Sequence, residues 1–153
     1  MPTPHRRWVV VAIDHPLYSW PCRGLESERS IIRTAAAAGA DAIIASYGTI
    51  RDHRDDFGAA QPILKLDLTT VSLHGAYPSS EFVQAWTVDD ARRIGVEMVL
   101  TYVQLGAPFE LEALRMAGRA AADADAAGLT YVCEIMPVES SLDTCHVSKC
   151  KRM

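Results

Sequence analysis

The fold is decided by the stretch Ala36-Ala37-Ala38-Gly39, followed two residues later by Ala42-Ile43-Ile44-Ala45. An alanine-rich helix, a glycine and a short apolar strand follow one another here. The same order recurs at residues 93–100 and at residues 126–133. Each glycine stands where a helix ends and the backbone needs a left-handed residue. The alternation predicts an α/β fold in which helices cover a parallel sheet.

The pattern predicts about five strands and four helices. The strands are expected at residues 8–14, 42–46, 62–68, 98–103 and 131–136, and the helices at 26–38, 49–54, 87–95 and 109–127. A long polar excursion is expected at 69–86. A closed eight-stranded barrel needs at least about 200 residues. The 153-residue chain therefore predicts a partial TIM barrel over residues 1–139 and an irregular C-terminal tail over residues 140–153.

Composition and charge indicate a soluble globular protein. Hydrophobic residues make up 49%, charged residues 22%, and the formal net charge is −4, so nothing favours nucleic acid or an anionic membrane. The apolar run at residues 8–13 is too short to span a bilayer, and no signal peptide is expected. The four cysteines form no dense framework, which favours the cytoplasm.

The cysteines give little support to a metal site. Cys145, His146 and Cys150 form at best a half-site, because zinc prefers four ligands at tighter, paired spacings. We interpret them as incidental thiols of the tail, and Cys133 as a buried strand residue. The sequence predicts no metal and no other cofactor.

Candidate functional residues stand where the predicted strands end, which is where parallel α/β folds collect their chemistry. They are Asp14, His15, Tyr47, Lys65, Asp67, Tyr102 and Glu134. Alternation along the third strand puts Lys65 and Asp67 on one face together with Ile63. A buried charged pair is unfavourable unless it is satisfied. Lys65 is therefore either a nucleophilic amine or, as we favour, the partner of Asp14 or Glu134 in an ion pair.

Five pieces of the chain, in register over residues 8–139, resemble the archaeal-type class I fructose-bisphosphate aldolases. They are Val11-Ala12-Ile13-Asp14-His15-Pro16, Gln61-Pro62-Ile63-Leu64-Lys65-Leu66, Thr87-Val88-Asp89-Asp90-Ala91 with Gly95, the set Tyr102, Gly106 and Glu110, and Glu134-Ile135-Met136-Pro137. The last piece is closer to the tagatose-bisphosphate aldolase branch, which carries a Glu. Met136 stands where the fructose-bisphosphate enzymes have a Tyr.

The resemblance implies a mechanism on a phosphorylated ketose. A sixth-strand lysine forms an imine, a Tyr or Glu of the fifth strand moves a proton, and a first-strand Asp handles the hydroxyl at the cleavage point. By this match Asp14 and Glu134 are predicted to be catalytic, with Lys65 as a third candidate. Substrate contacts are predicted for His15, Tyr47, Asp67 and Tyr102. Each also has a structural alternative: a strand-end cap, a backbone-bonded histidine, an ion pair or packing.

Two functions remain open because the imine lysine and the phosphate loops have no counterparts. Only sixteen residues follow Pro137, and Lys149 and Lys151 lie in a polar stretch. The chain is expected to be either a truncated or frame-shifted aldolase-like lyase of weak or absent activity, or a non-catalytic half-barrel. The open strand edges of a half-barrel favour self-association or a partner. A nucleotide-binding domain is disfavoured, because Gly24 and Gly48 form no glycine-rich phosphate loop.

Overall fold

A computed structural model describes residues 7–15, 24–70 and 81–137. Within these residues five parallel strands form a curled half-barrel in the spatial order β1-β2-β3-β6-β7. Its strands are β1 (Val10–Ala12), β2 (Ala42–Ala45), β3 (Gln61–Lys65), β6 (Met98–Leu105) and β7 (Thr130–Pro137). A separate antiparallel pair consists of β4 (Asp67–Thr70) and β5 (Glu81–Gln84).

In the part of the chain that the structure describes, four α-helices connect and cover the strands, as predicted. They are α1 (Glu28–Ala37), α2 (Tyr47–Asp52), α3 (Val88–Arg93) and α4 (Glu110–Ala127), and a 3-10 helix spans Arg54–Phe57. No helix among the described ranges is long and apolar enough to cross a membrane. The partial α/β TIM barrel expected from the sequence is therefore confirmed.

Local sequence signals set the ends of these helices. Ser27 and Ser46 accept hydrogen bonds from backbone N–H groups in the first turns of α1 and α2. At α3 the Thr87 side chain and the Asp90 side chain cap each other's backbone N–H groups in a capping box. Helix α4 ends at Gly128, whose φ of 71° is left-handed, as the repeated pattern predicted.

The helices bury the outer face of the sheet. Its core combines alternate strand residues with inward-facing helix residues, among them Ile32, Ile43, Leu64, Val99 and Ala120. The other residues of each strand point to the inner face, where they form a smaller apolar cluster: Ala42, Ile44, Ile63, Met98 and Leu100. The two faces therefore differ in how completely they are covered.

Three sequence predictions need correction. The polar excursion expected at residues 69–86 contains the β4–β5 pair, in which Leu68 is opposite Val83. The third strand is correspondingly shorter than residues 62–68, because the Leu66 carbonyl accepts hydrogen bonds from Ala85 and Trp86 and redirects the chain. Cys133 is on a strand, as predicted, but it is exposed, because β7 is the outermost strand of the sheet. The predicted tail at 140–153 lies outside the described residues.

Candidate functional site

The carboxyl ends of β1, β3 and β6 bring four of the predicted residues together. Strand β3 pairs with β6 so that Lys65 is opposite Leu100, and Tyr102 lies two residues further along β6. Asp14 follows β1, and Asp67 follows β3 on the same face as Lys65. Because every strand of the main sheet runs in one direction, these ends meet at one rim. Asp14, Lys65, Asp67 and Tyr102 are the rim cluster below.

Lys65 is the cationic centre of the rim cluster. Its Nζ lies 3.2 Å from Asp14 Oδ2 and 4.0 Å from Asp67 Oδ2. Lys65 is 1% exposed and Asp14 3% exposed, so these are buried charges. The predicted ion pair with Asp14 is confirmed. A buried ammonium between carboxylates is well satisfied, and removal of either sign would leave an uncompensated charge.

Asp67 has two oxygens in different environments. Oδ1 accepts a hydrogen bond from the Tyr102 backbone N–H at 2.7 Å, whereas Oδ2 has no hydrogen-bond partner within residues 7–15, 24–70 and 81–137. Burial raises the pKa of Asp67 to about 6, although Lys65 and the Tyr102 N–H act in the opposite direction and Asp14 adds to the rise. Asp67 can therefore gain or lose a proton near neutral pH.

Tyr102 forms the floor of the cluster. Lys65 Nζ lies 4.7 Å from the centroid of its ring, within the range of a cation–π contact. Its hydroxyl donates to Met136 Sδ at 3.5 Å. In the register of β6 and β7, Tyr102 is opposite Glu134, so the candidate fifth-strand acid belongs to the same level of the sheet.

Glu134 lies beside an open apolar groove on the inner face. The groove has a volume of about 390 Å³. Its lining consists of Trp8, Val10, Ile44, Ile63, Met98, Leu100, Val132 and Glu134. Glu134 is half-buried and is the one charged side chain of this lining. The groove and the rim cluster are therefore neighbouring parts of one inner surface.

His15 and Tyr47 are placed differently from the four rim residues. His15 directly follows Asp14 and is exposed. Tyr47 begins α2, and its ring stacks on Trp86 with 6.2 Å between centroids and 6° between ring planes. Both rings pack against the core on the helix-covered side. Their roles in substrate binding stay predictions.

One buried polar contact was missed by the sequence reasoning. Thr101 Oγ1 and the Tyr131 hydroxyl lie 2.5 Å apart on the outer side of β6 and β7. Burial raises the pKa of Tyr131 to about 12, which keeps its hydroxyl protonated. Thr101, a polar residue within the apolar stretch of β6, was the sequence feature that could have indicated this contact. The residues suggested as a metal half-site lie outside the described ranges, and within those ranges no cluster of three metal-binding side chains occurs.

The comparisons with known proteins point in one direction. No protein-family model matches the chain. Over 105 residues the chain is 29% identical to an uncharacterized aldolase of Saccharolobus solfataricus, covering 65% of this chain and 39% of that protein. It superimposes on a Schiff-base-forming fructose-1,6-bisphosphate aldolase with a TM-score of 0.74 and 26% identity, covering 86% of this chain and 53% of the other.

A second solved structure agrees. An archaeal fructose-1,6-bisphosphate aldolase, with its catalytic lysine bound to a carbinolamine intermediate, gives a TM-score of 0.71 and 25% identity. The match covers 83% of this chain and 51% of that one. The chain thus spans about half the length of the solved structures that it matches, and about two fifths of the curated relative.

Proposed function

The chain is a partial TIM barrel that resembles the class I aldolases in sequence and fold, and on that premise we propose that it forms the proton-handling half of an aldolase-type site. The observation that supports this most strongly is the rim cluster. It combines two buried carboxylates, a lysine and an aromatic ring at the edge of the sheet where such folds carry out chemistry. The proposed substrate class is a phosphorylated ketose or a related keto compound.

The rim cluster and Glu134 offer proton-transfer groups for such a cleavage, but not the amine that forms the imine. When a ketose is bound as an imine, a base removes the proton of the hydroxyl next to the breaking carbon–carbon bond. The bond electrons pass to the imine, so an aldehyde leaves and an enamine remains, which then takes up a proton. We assign the hydroxyl proton to Asp14 and the proton transfer at the enamine to Glu134.

Asp67 suits an accessory role in this scheme. Its pKa of about 6, raised by burial, allows it to change charge within the working pH range. Together with Asp14 it gives the cluster two carboxylates for one lysine. Met136, at a position where the fructose-bisphosphate enzymes have a Tyr, directs the proposal away from fructose 1,6-bisphosphate as the specific substrate.

We expect weak or no turnover from this chain alone. Its three lysines are Lys65, Lys149 and Lys151. Lys65 lies between two carboxylates, and an ammonium has no electron pair with which to attack a carbonyl. The other two are in the polar segment after Pro137. The proposed compartment is the cytoplasm, where sugar phosphates are handled.

Reductive trapping tests whether Lys65 or another lysine of the chain forms an imine. The chain is incubated with dihydroxyacetone phosphate and sodium borohydride, digested, and examined by mass spectrometry for a reduced imine on each lysine. We expect no adduct on Lys65 in the wild type. The Lys65→Arg variant is the matched control, since it preserves the positive charge but forms no imine. An adduct on Lys65 that is absent from the variant would contradict the assignment of Lys65 as an ion-pair residue.

Ligand binding tests the substrate class. Saturation-transfer NMR with dihydroxyacetone phosphate is expected to detect binding to the wild type, weakened by Asp14→Asn. Inorganic phosphate at the same concentration controls for simple anion binding. If the keto compound gives no signal, or the same signal as phosphate, the proposed substrate class is wrong.

A second candidate function is a non-catalytic half-barrel that binds a partner. The specific observation in its favour is the apolar groove of about 390 Å³ beside the rim cluster, whose lining carries a single charged side chain, Glu134. The two candidates are separated by the assays above, because a purely structural half-barrel would bind neither dihydroxyacetone phosphate nor any other keto compound.

A further inference from the structure

The methionines of the described chain differ in how far solvent reaches them. Met98 and Met116 are 7% and 2% exposed, whereas Met136 is 47% exposed. Met136 lies near the carboxyl end of β7, opposite Gln104 of β6. Oxidation converts an accessible methionine to its sulfoxide and turns an apolar side chain into a polar one. Among these three residues, Met136 is the one that a dissolved oxidant reaches.

The Met136 sulfur also has a defined partner. The Tyr102 hydroxyl donates a hydrogen bond to Met136 Sδ at 3.5 Å. A thioether sulfur is a weak acceptor. A sulfoxide carries an oxygen on the same sulfur, and that oxygen is a much stronger acceptor. The Tyr102 hydroxyl is therefore placed where it would bind the oxidised side chain more tightly than the reduced one.

Tyr102 connects this sulfur with the rim cluster. Its ring lies 4.7 Å from Lys65 Nζ, and its backbone N–H donates to Asp67 Oδ1 at 2.7 Å. Tyr102 is 8% exposed, so its ring is held by packing and does not swing into solvent. A change at the hydroxyl end of the ring is therefore transmitted to the ring face that meets Lys65.

We propose that Met136 is an oxidation site and that Tyr102 transmits its state to the rim cluster. The oxidant is hydrogen peroxide. A lone pair of Sδ attacks one peroxide oxygen, and the sulfur–oxygen bond forms as the oxygen–oxygen bond breaks. The displaced hydroxide takes the proton of the transferred hydroxyl and leaves as water. The sulfur loses two electrons, the peroxide gains two, and the Tyr102 hydroxyl then donates to the new oxygen.

The added oxygen changes the geometry around Tyr102. The hydroxyl now meets an oxygen that projects from the sulfur, so the ring or the Met136 side chain must shift to keep a hydrogen bond of normal length. The ring face then moves relative to Lys65 Nζ, and the cation–π contact changes with it. Methionine sulfoxide reductases restore the thioether, so the change is reversible.

This oxidation goes beyond the proposed function and does not depend on it. None of its measurements uses a keto compound, imine trapping or turnover. A chain that fails the trapping and binding assays could still be oxidised at Met136, and a chain that binds dihydroxyacetone phosphate could resist oxidation there. Failure of one proposal is therefore distinguishable from failure of the other.

Site-resolved oxidation is the first test. The full 153-residue chain is treated with dilute hydrogen peroxide, the reaction is stopped with catalase, and the sulfoxide at each site is measured by mass spectrometry. Trypsin separates the three methionines, because Arg115 precedes Met116 and Arg119 lies between Met116 and Met136. Met136 is expected to oxidise several-fold faster than Met98 and Met116. Equal rates at the three sites, or slower oxidation of Met136, would overturn the proposal.

NMR of the chain with ¹³C-labelled lysine is the second test, and it follows Lys65. The chain has three lysines, so Lys149→Arg and Lys151→Arg identify the other two signals and leave the rim cluster unaltered. An aromatic ring shifts the signals of nuclei that lie over its face. The Lys65 Cε signal should therefore move when Met136 is oxidised, and return after treatment with methionine sulfoxide reductases.

Met136→Leu is the matched control, because it keeps an apolar side chain of similar volume without the sulfur. Cys133 is exposed and present in both proteins, so any effect of its oxidation appears in the control as well. Peroxide should leave the Lys65 signal of this variant in place. Circular dichroism checks that the variant folds, and reversal by the reductases in the wild type decides the question if it does not. A Lys65 signal that stays fixed while Met136 is oxidised, that does not return on reduction, or that moves equally in Met136→Leu would overturn the proposal.

Discussion

The inner face of the half-barrel has two parts with opposite character. The rim cluster is charged and buried: Lys65 and Asp14 are almost completely inaccessible. The groove is apolar and open: Trp8 and Val10 are nearly half exposed. In most folded proteins the distribution is the reverse, with charged side chains on the surface and hydrocarbon side chains in the interior.

The two parts differ in how their side chains are stabilised. The rim charges tolerate burial because each has a partner of opposite sign or a backbone donor within reach. The groove side chains differ among themselves: Ile44, Ile63, Met98 and Leu100 are buried against one another, whereas Val10 is 43% exposed. The rim cluster is therefore stabilised by charge pairing, and the groove by apolar packing that is loosest at Val10.

The largest expected effect comes from breaking the rim cluster. Lys65→Met leaves Asp14 and Asp67 buried without their cation, and the free energy of unfolding should fall by about 3–5 kcal/mol. Urea unfolding followed by circular dichroism, at one fixed protein concentration, measures this loss.

An exposed ion pair provides the control. Arg29 lies 3.1 Å from Asp56, but the Arg29 side chain is 63% exposed, so Arg29→Ala should change the unfolding free energy by at most about 1 kcal/mol. If Lys65→Met proves no more damaging than Arg29→Ala, the rim charges do not support one another as described.

The rim cluster could be predicted from the sequence because the patterns that indicate it are local. A lysine and an aspartate two residues apart on an apolar strand must point the same way, and burial demands a counter-ion. The first strand ends beside Asp14, which supplies that counter-ion. The glycines at 39, 95 and 128, all with positive φ, likewise followed from local chain geometry.

The features that the sequence did not reveal depend on distant contacts. The β4–β5 pair forms because the Leu66 carbonyl meets Ala85 and Trp86, about twenty residues away. Cys133 is exposed because β7 is the last strand of the sheet, which the apolar pattern of residues 131–136 does not encode. Tyr47 was expected to contact substrate, and its stacking on Trp86 likewise depends on a separate segment.

Two adjacent isoleucines of β2 sharpen the comparison between covered and open surfaces. Ile43 is fully buried in the outer core, so Ile43→Ala should lower the unfolding free energy by about 2–5 kcal/mol. Ile44 lines the groove, where no closed cavity would form around the truncated side chain. We expect Ile44→Ala to lose about 2 kcal/mol or less in dilute protein. Urea unfolding followed by circular dichroism measures both losses. Equal losses for both variants in dilute protein would mean that the groove side is packed as tightly as the core.

The last expected effect is a pH dependence centred on Asp67. Its pKa rises from 3.8 to about 6 on folding, so the folded state binds this proton more tightly than the unfolded state. The associated stability is fully present below about pH 4 and is lost as the pH rises through 6. The whole shift corresponds to about 3 kcal/mol.

Asp67→Asn retains an acceptor for the Tyr102 N–H but cannot titrate. The difference in unfolding free energy between wild type and variant should therefore change between pH 4 and pH 7, in favour of the variant at the higher pH. Urea titrations at pH 4, 5, 6 and 7 measure this difference, and Asp89→Asn, at a carboxylate whose side chain is 81% exposed, controls for general effects of pH. A difference that stays flat across this range would show that Asp67 is ionised throughout, so that the rim cluster carries two permanent negative charges rather than one that switches.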